Sequence, residues 1–258
     1  MSKYDSWRLP KNVTPNHYEL MFDFGGLKKS DMIGDRFIYH GTSRIQAKME
    51  QDSCEIIVHT NFDTVVIKSV HLRIGSDNVE IATAENKEKQ LLLITPEFSI
   101  EQNTHFELDF TFMVNVPTNE ESLDGLYSSY YDDENGQRNY LLTTQFEAWG
   151  ARMAFPCFDE PSMKAMFDVS ISYKHYDNSY TALFNTDVFE SSDKEGVRTD
   201  KFYTSMQISP YLLAIVVSPL TKVTDISRIE ILHFHFQIKL HYILHFSFFS
   251  KMLCNFKM

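Results

Sequence analysis

The stretch Thr143-Thr144-Gln145-Phe146-Glu147-Ala148-Trp149-Gly150-Ala151-Arg152-Met153-Ala154-Phe155-Pro156-Cys157-Phe158-Asp159-Glu160-Pro161 is the densest run of unusual residues in the chain. A strand-like segment, residues 140–146, leads into it. Pro156 and Pro161 forbid a continuous helix or a central strand, because proline lacks the amide donor that either would use. The run is therefore expected to be an ordered, compact loop. Its aromatics, Phe146, Trp149, Phe155 and Phe158, are expected to bury it against neighbouring elements. Arg152, Asp159 and Glu160 are charges in this aromatic setting, and buried charges need partners. They are expected to form an ion-pair and capping network that fixes the loop, and with it Glu147.

Outward from the loop, the chain reads as many short strands. Residues 106–114 alternate cleanly, with Phe106, Leu108, Phe110, Phe112 and Val114 on one face; this is the pattern of a half-buried strand. Further strands are expected at 18–24, 33–49, 54–59, 65–72, 78–83, 90–95, 126–131, 138–146, 167–173, 180–184, 201–207 and 211–217. Asn135-Gly136 is a hairpin turn signal, since both residues accept positive φ. Only a short turn around residues 160–165 suggests anything helical before residue 228. Such spacing implies an all-β fold, a sandwich or curved sheet.

The net charge of -11 disfavours nucleic acid as a partner. Cys54, Cys157 and Cys254 are far apart and lack CxxC spacing, so neither a disulfide scaffold nor a zinc knuckle is expected. Each is expected to be a buried, reduced thiol. No GxSxG, GxGxxG or GKS/GKT run is present. The first twenty residues lack an apolar core. No signal peptide or anchor is therefore expected, which favours a cytoplasmic location over an extracellular or membrane-associated one. From about Ile229 the character changes to Ile, Leu, Phe, His and Lys, with histidines at 233, 235, 241 and 245. His and Lys interrupt this apolar His/Phe-rich tail too often for a membrane span.

Residues 144–167, TQFEAWGARMAFPCFDEPSMKAMF, closely resemble the end of the first domain of zinc aminopeptidases of the aminopeptidase N type. Three other runs are similar to that family: Arg8-Leu9-Pro10 through His17-Tyr18-Glu19-Leu20, Asp124 to Ser129, and Ser209 to Ala214, where Pro210 departs from the pattern. The resemblance covers roughly residues 7–225. It implies the family's saddle-shaped N-terminal β domain over 1–228, with 229–258 an atypical tail foreign to the family. It also implies that Glu147 binds the substrate's N-terminal amine and that Gln145 lines the same pocket. Chemistry agrees, because an α-ammonium calls for a carboxylate, and residues i and i+2 of a strand share a face. The bland alternative is a solvated Glu147 and a Gln145 bonded to backbone.

The family's zinc site, HExxH with a downstream Glu, and its GAMEN strand are both absent from this sequence. His241-Tyr242-Ile243-Leu244-His245 has the i, i+4 spacing but carries Tyr242 where the general base would stand. Zinc is thus the cofactor of the full-length family, and none is expected for this chain. The chain alone is expected to be an inactive, truncated piece of a metallo-aminopeptidase that meets peptide N-termini. The other reading is a non-catalytic binding module that pairs with a full-length aminopeptidase. Lacking a covering domain, the loop around Trp149 and Phe155 is expected to expose apolar surface.

Overall fold

A computed structural model describes residues 7–118, 121–176, 179–220, 222–224 and 232–234. The first strands are β1 (Val13–Asp23), β2 (Ile38–Met49), β3 (Ile56–His59), β4 (Val65–Ile74), β5 (Asp77–Val79), β6 (Ile81–Asn86), β7 (Leu91–Pro96) and β8 (His105–Asn115). Then follow β9 (Gly125–Asp132), β10 (Arg138–Gln145), β11 (Met166–Lys174), β12 (Thr181–Leu183), β13 (Val188–Lys194), β14 (Val197–Phe202) and β15 (Val216–Ser218). An antiparallel backbone pair of β16 (Lys222–Thr224) and β17 (Leu232–Phe234) is the last element described. The other residues of the expected tail, with His241 and His245, lie outside the described residues.

The strands form an eight-stranded sheet in the order β13-β14-β11-β1-β2-β8-β4-β5, a four-stranded sheet β12-β15-β10-β9, and a three-stranded sheet β3-β7-β6. The fold is all-β and sandwich-like, and the helical content among the described residues is three short 3-10 turns. Alternation decides the layers. In β8, Phe106, Leu108, Phe110, Phe112 and Val114 point inward, and the residues between them are half-buried or exposed. β1 does the same with Tyr18, Leu20 and Phe22. Inward side chains from all three sheets merge into one hydrophobic cluster.

β1 is central to the large sheet. It pairs antiparallel with β2, Tyr18 opposite Ile45, and parallel with β11, Tyr18 beside Phe167. The parallel pair draws the segment that follows the Pro161 loop back beside the N-terminal strand. The loop then closes over the same core. Phe155 is fully buried, with ring centroids 6.1 Å from Phe22, 6.3 Å from Phe146 and 6.4 Å from Tyr18. Tyr18 also stacks on Phe167 at 4.7 Å.

Several expectations need correction. Residues 203–207 are a loop, and the strand before them, β14, pairs with β13 instead. β13 went unread because every one of its residues is exposed, so nothing alternates. The β13–β14 turn is Glu195-Gly196, both at positive φ (55° and 79°). Residues 210–212 are a 3-10 turn, leaving only Val216–Ser218 as strand in that region. Asn185 fastens this turn with its amide group, donating to the Leu212 carbonyl and accepting from the Ala214 amide. The long strand begins at Ile38, after a tight turn in which Ile33 bridges Arg36. In the turn of the β9–β10 hairpin, Gly136 takes positive φ (74°) and Asn135 does not. Asp133 organises that turn, its carboxylate accepting from the amides of Asn135 and Gln137. Cys157 is buried, whereas Cys54 is exposed.

The loop aromatics divide as well. Phe146, Phe155 and Phe158 are buried, but Trp149 is 70% exposed. The apolar surface expected around Trp149 and Phe155 therefore comes from Trp149 alone. Phe155→Ala is expected to destabilise the fold by about 3–5 kcal/mol, the usual effect of emptying a large aromatic site. Trp149→Ala should change stability by less than about 0.5 kcal/mol, as exposed substitutions do. Urea denaturation of both variants checks the contrast.

Candidate functional site

The site is the turn where β10 leaves its sheet. The β9–β10 ladder ends at Gln145, opposite Gly125. Gln145 is half-buried, Phe146 buried, and Glu147, Ala148 and Trp149 all exposed. Outward alternation thus carries on past the last ladder pair, although Glu147 itself is not in the strand. The Glu147–Ala148 peptide is cis. The Gly150 amide donates to the Phe146 carbonyl at 2.7 Å and closes the turn. A Cβ at Gly150 would sit 2.8 Å from the Gln145 carbonyl oxygen and 3.0 Å from the Gly125 nitrogen. Only glycine permits so close a backbone approach.

The chain then enters a 3-10 turn, Ala151–Met153, and its anchors. Arg152 Nε donates to Asp159 Oδ2 at 2.9 Å, the Arg152 backbone amide donates to the same oxygen at 3.3 Å, and Arg152 Nη2 donates to the Asp159 carbonyl at 3.2 Å. Both side chains are buried. Burial holds the Asp159 carboxyl above its ordinary pKa, although the facing Arg152 guanidinium acts in the opposite direction. Glu160 is buried too but does not join this pair. Its Oε1 accepts from the Leu9 amide at 3.0 Å, and its Oε2 lies 2.6 Å from Arg8 Nε. The three charges therefore split into two attachments, one inside the loop and one from the loop to the entry segment.

Residues far away in sequence complete the clamp. Tyr39 donates its hydroxyl proton to the Ala154 carbonyl at 2.6 Å, and Tyr18 Oη accepts from the Phe158 amide at 3.1 Å. His59 and Cys157 exchange backbone hydrogen bonds at 2.8 and 3.1 Å. Thr64 donates to the Met153 carbonyl at 3.0 Å, and Ser209 to the Pro161 carbonyl at 2.6 Å. None of these partners was visible in the loop's own sequence, since each reaches it from another element. Cys157 is fully buried, and desolvation raises its thiol pKa well above the usual value. It therefore stays a protonated packing group, since the thiolate is the nucleophilic form.

Against this fixed framework, no hydrogen bond or ion pair among the described residues holds the side chain of Gln145 or Glu147. The loop presents an exposed, unengaged carboxylate at its tip, two residues from an exposed indole. No group of three or more His, Cys, Asp or Glu side chains converges to hold a metal among the described residues. The donor set of the described residues therefore does not fit zinc. Among the described residues, no helix is long and apolar enough to cross a membrane.

His59 makes the clamp sensitive to acid. Its ring is buried, and its Nε2 sits 2.9 Å from the Trp7 carbonyl, which can only accept, so Nε2 carries the proton. Nδ1 is buried without a hydrogen-bond partner. Desolvation, and then the nearby Arg152 charge, lower the pKa to about 3. The folded state thus holds His59 neutral, while the unfolded chain protonates it below its ordinary value near 6.5. Its contribution to stability is present above pH 6.5 and is lost as pH falls toward 3, by about 1.4 kcal/mol per pH unit. His59→Phe is expected to flatten the stability profile between pH 6.5 and 4.5, as read by urea denaturation at several pH values.

The chain matches the Peptidase M1 N-terminal domain over residues 14–212. It is 32% identical over 217 residues to puromycin-sensitive aminopeptidase of Caenorhabditis elegans, covering 83% of this chain and 21% of the relative. It is 30% identical over 218 residues to aminopeptidase 2, mitochondrial, of Saccharomyces cerevisiae, covering 82% and 21%. It is 28% identical over 231 residues to endoplasmic reticulum aminopeptidase 1 of Rattus norvegicus, covering 87% and 23%. The chain spans less than a quarter of the length of these relatives. Two of these names give different compartments, mitochondrial and endoplasmic reticulum, so the likeness fixes none for this chain. The matched stretch contains the whole loop from Gln145 to Pro161 and the strands that clamp it, and the chain belongs to the Peptidase M1 N-terminal domain family.

Proposed function

We propose that this chain is the part of a zinc metallo-aminopeptidase that recognises the free N-terminus of a peptide, with Glu147 accepting hydrogen bonds from the α-ammonium and Gln145 lining the same pocket. The observation that supports it most is the exposed Glu147 carboxylate, unengaged by its neighbours, on a turn fixed by buried anchors. Such a carboxylate meets a cation without first breaking an internal contact, and because the backbone of the turn is already fixed, only the Glu147 side chain remains to be ordered on binding. An acetylated N-terminus has neither the charge nor the donors, so the same site discriminates against it.

Zinc, in the family, supplies an activated water for peptide hydrolysis. The HExxH ligands that would hold it are absent from these 258 residues. On this reading the chain binds and orients an N-terminus, and turnover needs a zinc-bearing segment. The exposed Trp149 beside Glu147 favours a second reading: a non-catalytic module whose loop tip docks on a full-length aminopeptidase.

Titration of the chain with a short peptide amide tests the first reading. Binding is expected for the free amine, with Glu147→Gln and N-terminal acetylation each weakening it by about ten- to a hundredfold, the value of a charge-assisted hydrogen bond. Equal binding of acetylated and free peptides would sink it. Purified chain with added zinc should release no product from an aminoacyl fluorogenic substrate, and chelator-sensitive turnover would contradict that expectation. Retention of the chain by an immobilised full-length aminopeptidase, lost in Trp149→Ala, would favour the second reading.

A further inference from the structure

The outer face of the eight-stranded sheet carries a cavity of about 780 Å³, lined by residues from every one of its strands. Its volume is that of a small-molecule site. The loop from Gln145 to Pro161 contributes nothing to its lining, so whatever the cavity holds is separate from the proposed amine site.

Charges in the lining are balanced, with Glu19, Asp109 and Asp168 against Arg44, Arg73 and Lys201. They are also tied in place. Arg44 Nε donates to Asp109 Oδ1 at 2.7 Å, and Arg73 Nε to Asp109 Oδ2 at 2.9 Å. Arg44 also reaches Glu19 at 3.3 Å, and Thr204 donates to Asp168 at 2.6 Å. The result is a fixed row of alternating acceptors and donors across β1, β2, β8 and β4. One wall is aromatic. Phe189 lines the cavity and packs on Tyr203 with centroids 5.3 Å apart, and both rings are about half exposed (51% and 59%).

Three ligand classes differ in how well they fit this lining. An ion gains no net attraction from a balanced set of charges. Across the middle of the face a peptide strand finds no main-chain edge, because β1, β2, β8 and β11 are each hydrogen-bonded on both sides within the sheet, and the free edges lie at its two ends, on β13 and β5. Sugar hydroxyls both donate and accept, and so match alternating carboxylates and guanidiniums. The C–H face of a pyranose ring suits an exposed aromatic wall, where apolar surface otherwise stands in water. We propose that this face is a binding site for an uncharged oligosaccharide, gripped by the Glu19–Arg44–Asp109–Arg73 row and stacked on Phe189.

A glycan array probed with the full chain, followed by calorimetry with the best neutral oligosaccharide, tests the assignment. Selective binding of neutral glycans is expected, at least tenfold weaker in Phe189→Ala and unchanged in Glu147→Gln. Phe189 is exposed, so the variant is expected to keep its β structure, which circular dichroism checks. Thr111→Val, a second change in the lining, is expected to weaken binding as well. The proposal is overturned if no neutral oligosaccharide binds at millimolar concentration, if sialylated or sulfated glycans are preferred, or if Phe189→Ala binds as the parent does. A dimer by light scattering that dissociates in Phe189→Ala would assign the face to a second copy of this chain and overturn it equally.

Discussion

The burial of Phe155 among Tyr18, Phe22 and Phe146 is the interaction on which the rest depends. A proline-interrupted segment cannot satisfy its own backbone by helix or ladder, so it must borrow partners from elsewhere. The ring places the segment within reach of two phenols from the large sheet. Tyr39 then satisfies the Ala154 carbonyl on one side of Phe155, and Tyr18 the Phe158 amide on the other. Hydrophobic burial and backbone satisfaction are thus achieved by the same aromatic residues. The parallel β1–β11 pairing is what brings Tyr18 and Phe167 together beneath the loop.

Electrostatics refine this frame without providing its stability. Replacing a buried pair such as Arg152–Asp159 by well-packed apolar residues is often neutral, whereas removing one partner costs about 3–5 kcal/mol. The pair is better understood as fixing geometry: one Asp159 oxygen holds both the backbone amide and the side chain of Arg152. Glu160 does the same for the entry segment through Leu9 and Arg8. The charges that might have competed for Glu147 are therefore engaged elsewhere, and its carboxylate stays available at the tip. Organisation of the loop and availability of its carboxylate are two sides of one arrangement.

Where burial alternates, the sequence was easily read. β8 is legible because its inward residues are all Phe, Leu or Val, and Pro156 and Pro161 mark the loop without ambiguity. β13 was not legible, since a strand at a sheet edge with every side chain in water carries no periodic signal. Trp149 and Cys54 failed the other way, being residue types expected inside but placed outside. The exposed position of Trp149 follows from a turn that points outward between two buried neighbours, Phe146 and Gly150. Gln145 and Glu147 stand out in the sequence by resemblance and strand spacing. The clamp behind them, His59, Tyr39 and Thr64 above all, depends on contacts across the fold that no local pattern records.

The most direct measurement is a crystal structure of the chain with a short peptide bearing a free N-terminus. The amine nitrogen is expected about 2.7–2.9 Å from a Glu147 carboxylate oxygen, the span of a charge-assisted hydrogen bond, with residues 150–161 unmoved. A peptide whose N-terminus lies elsewhere, or a Glu147 turned away from a bound amine, would contradict it.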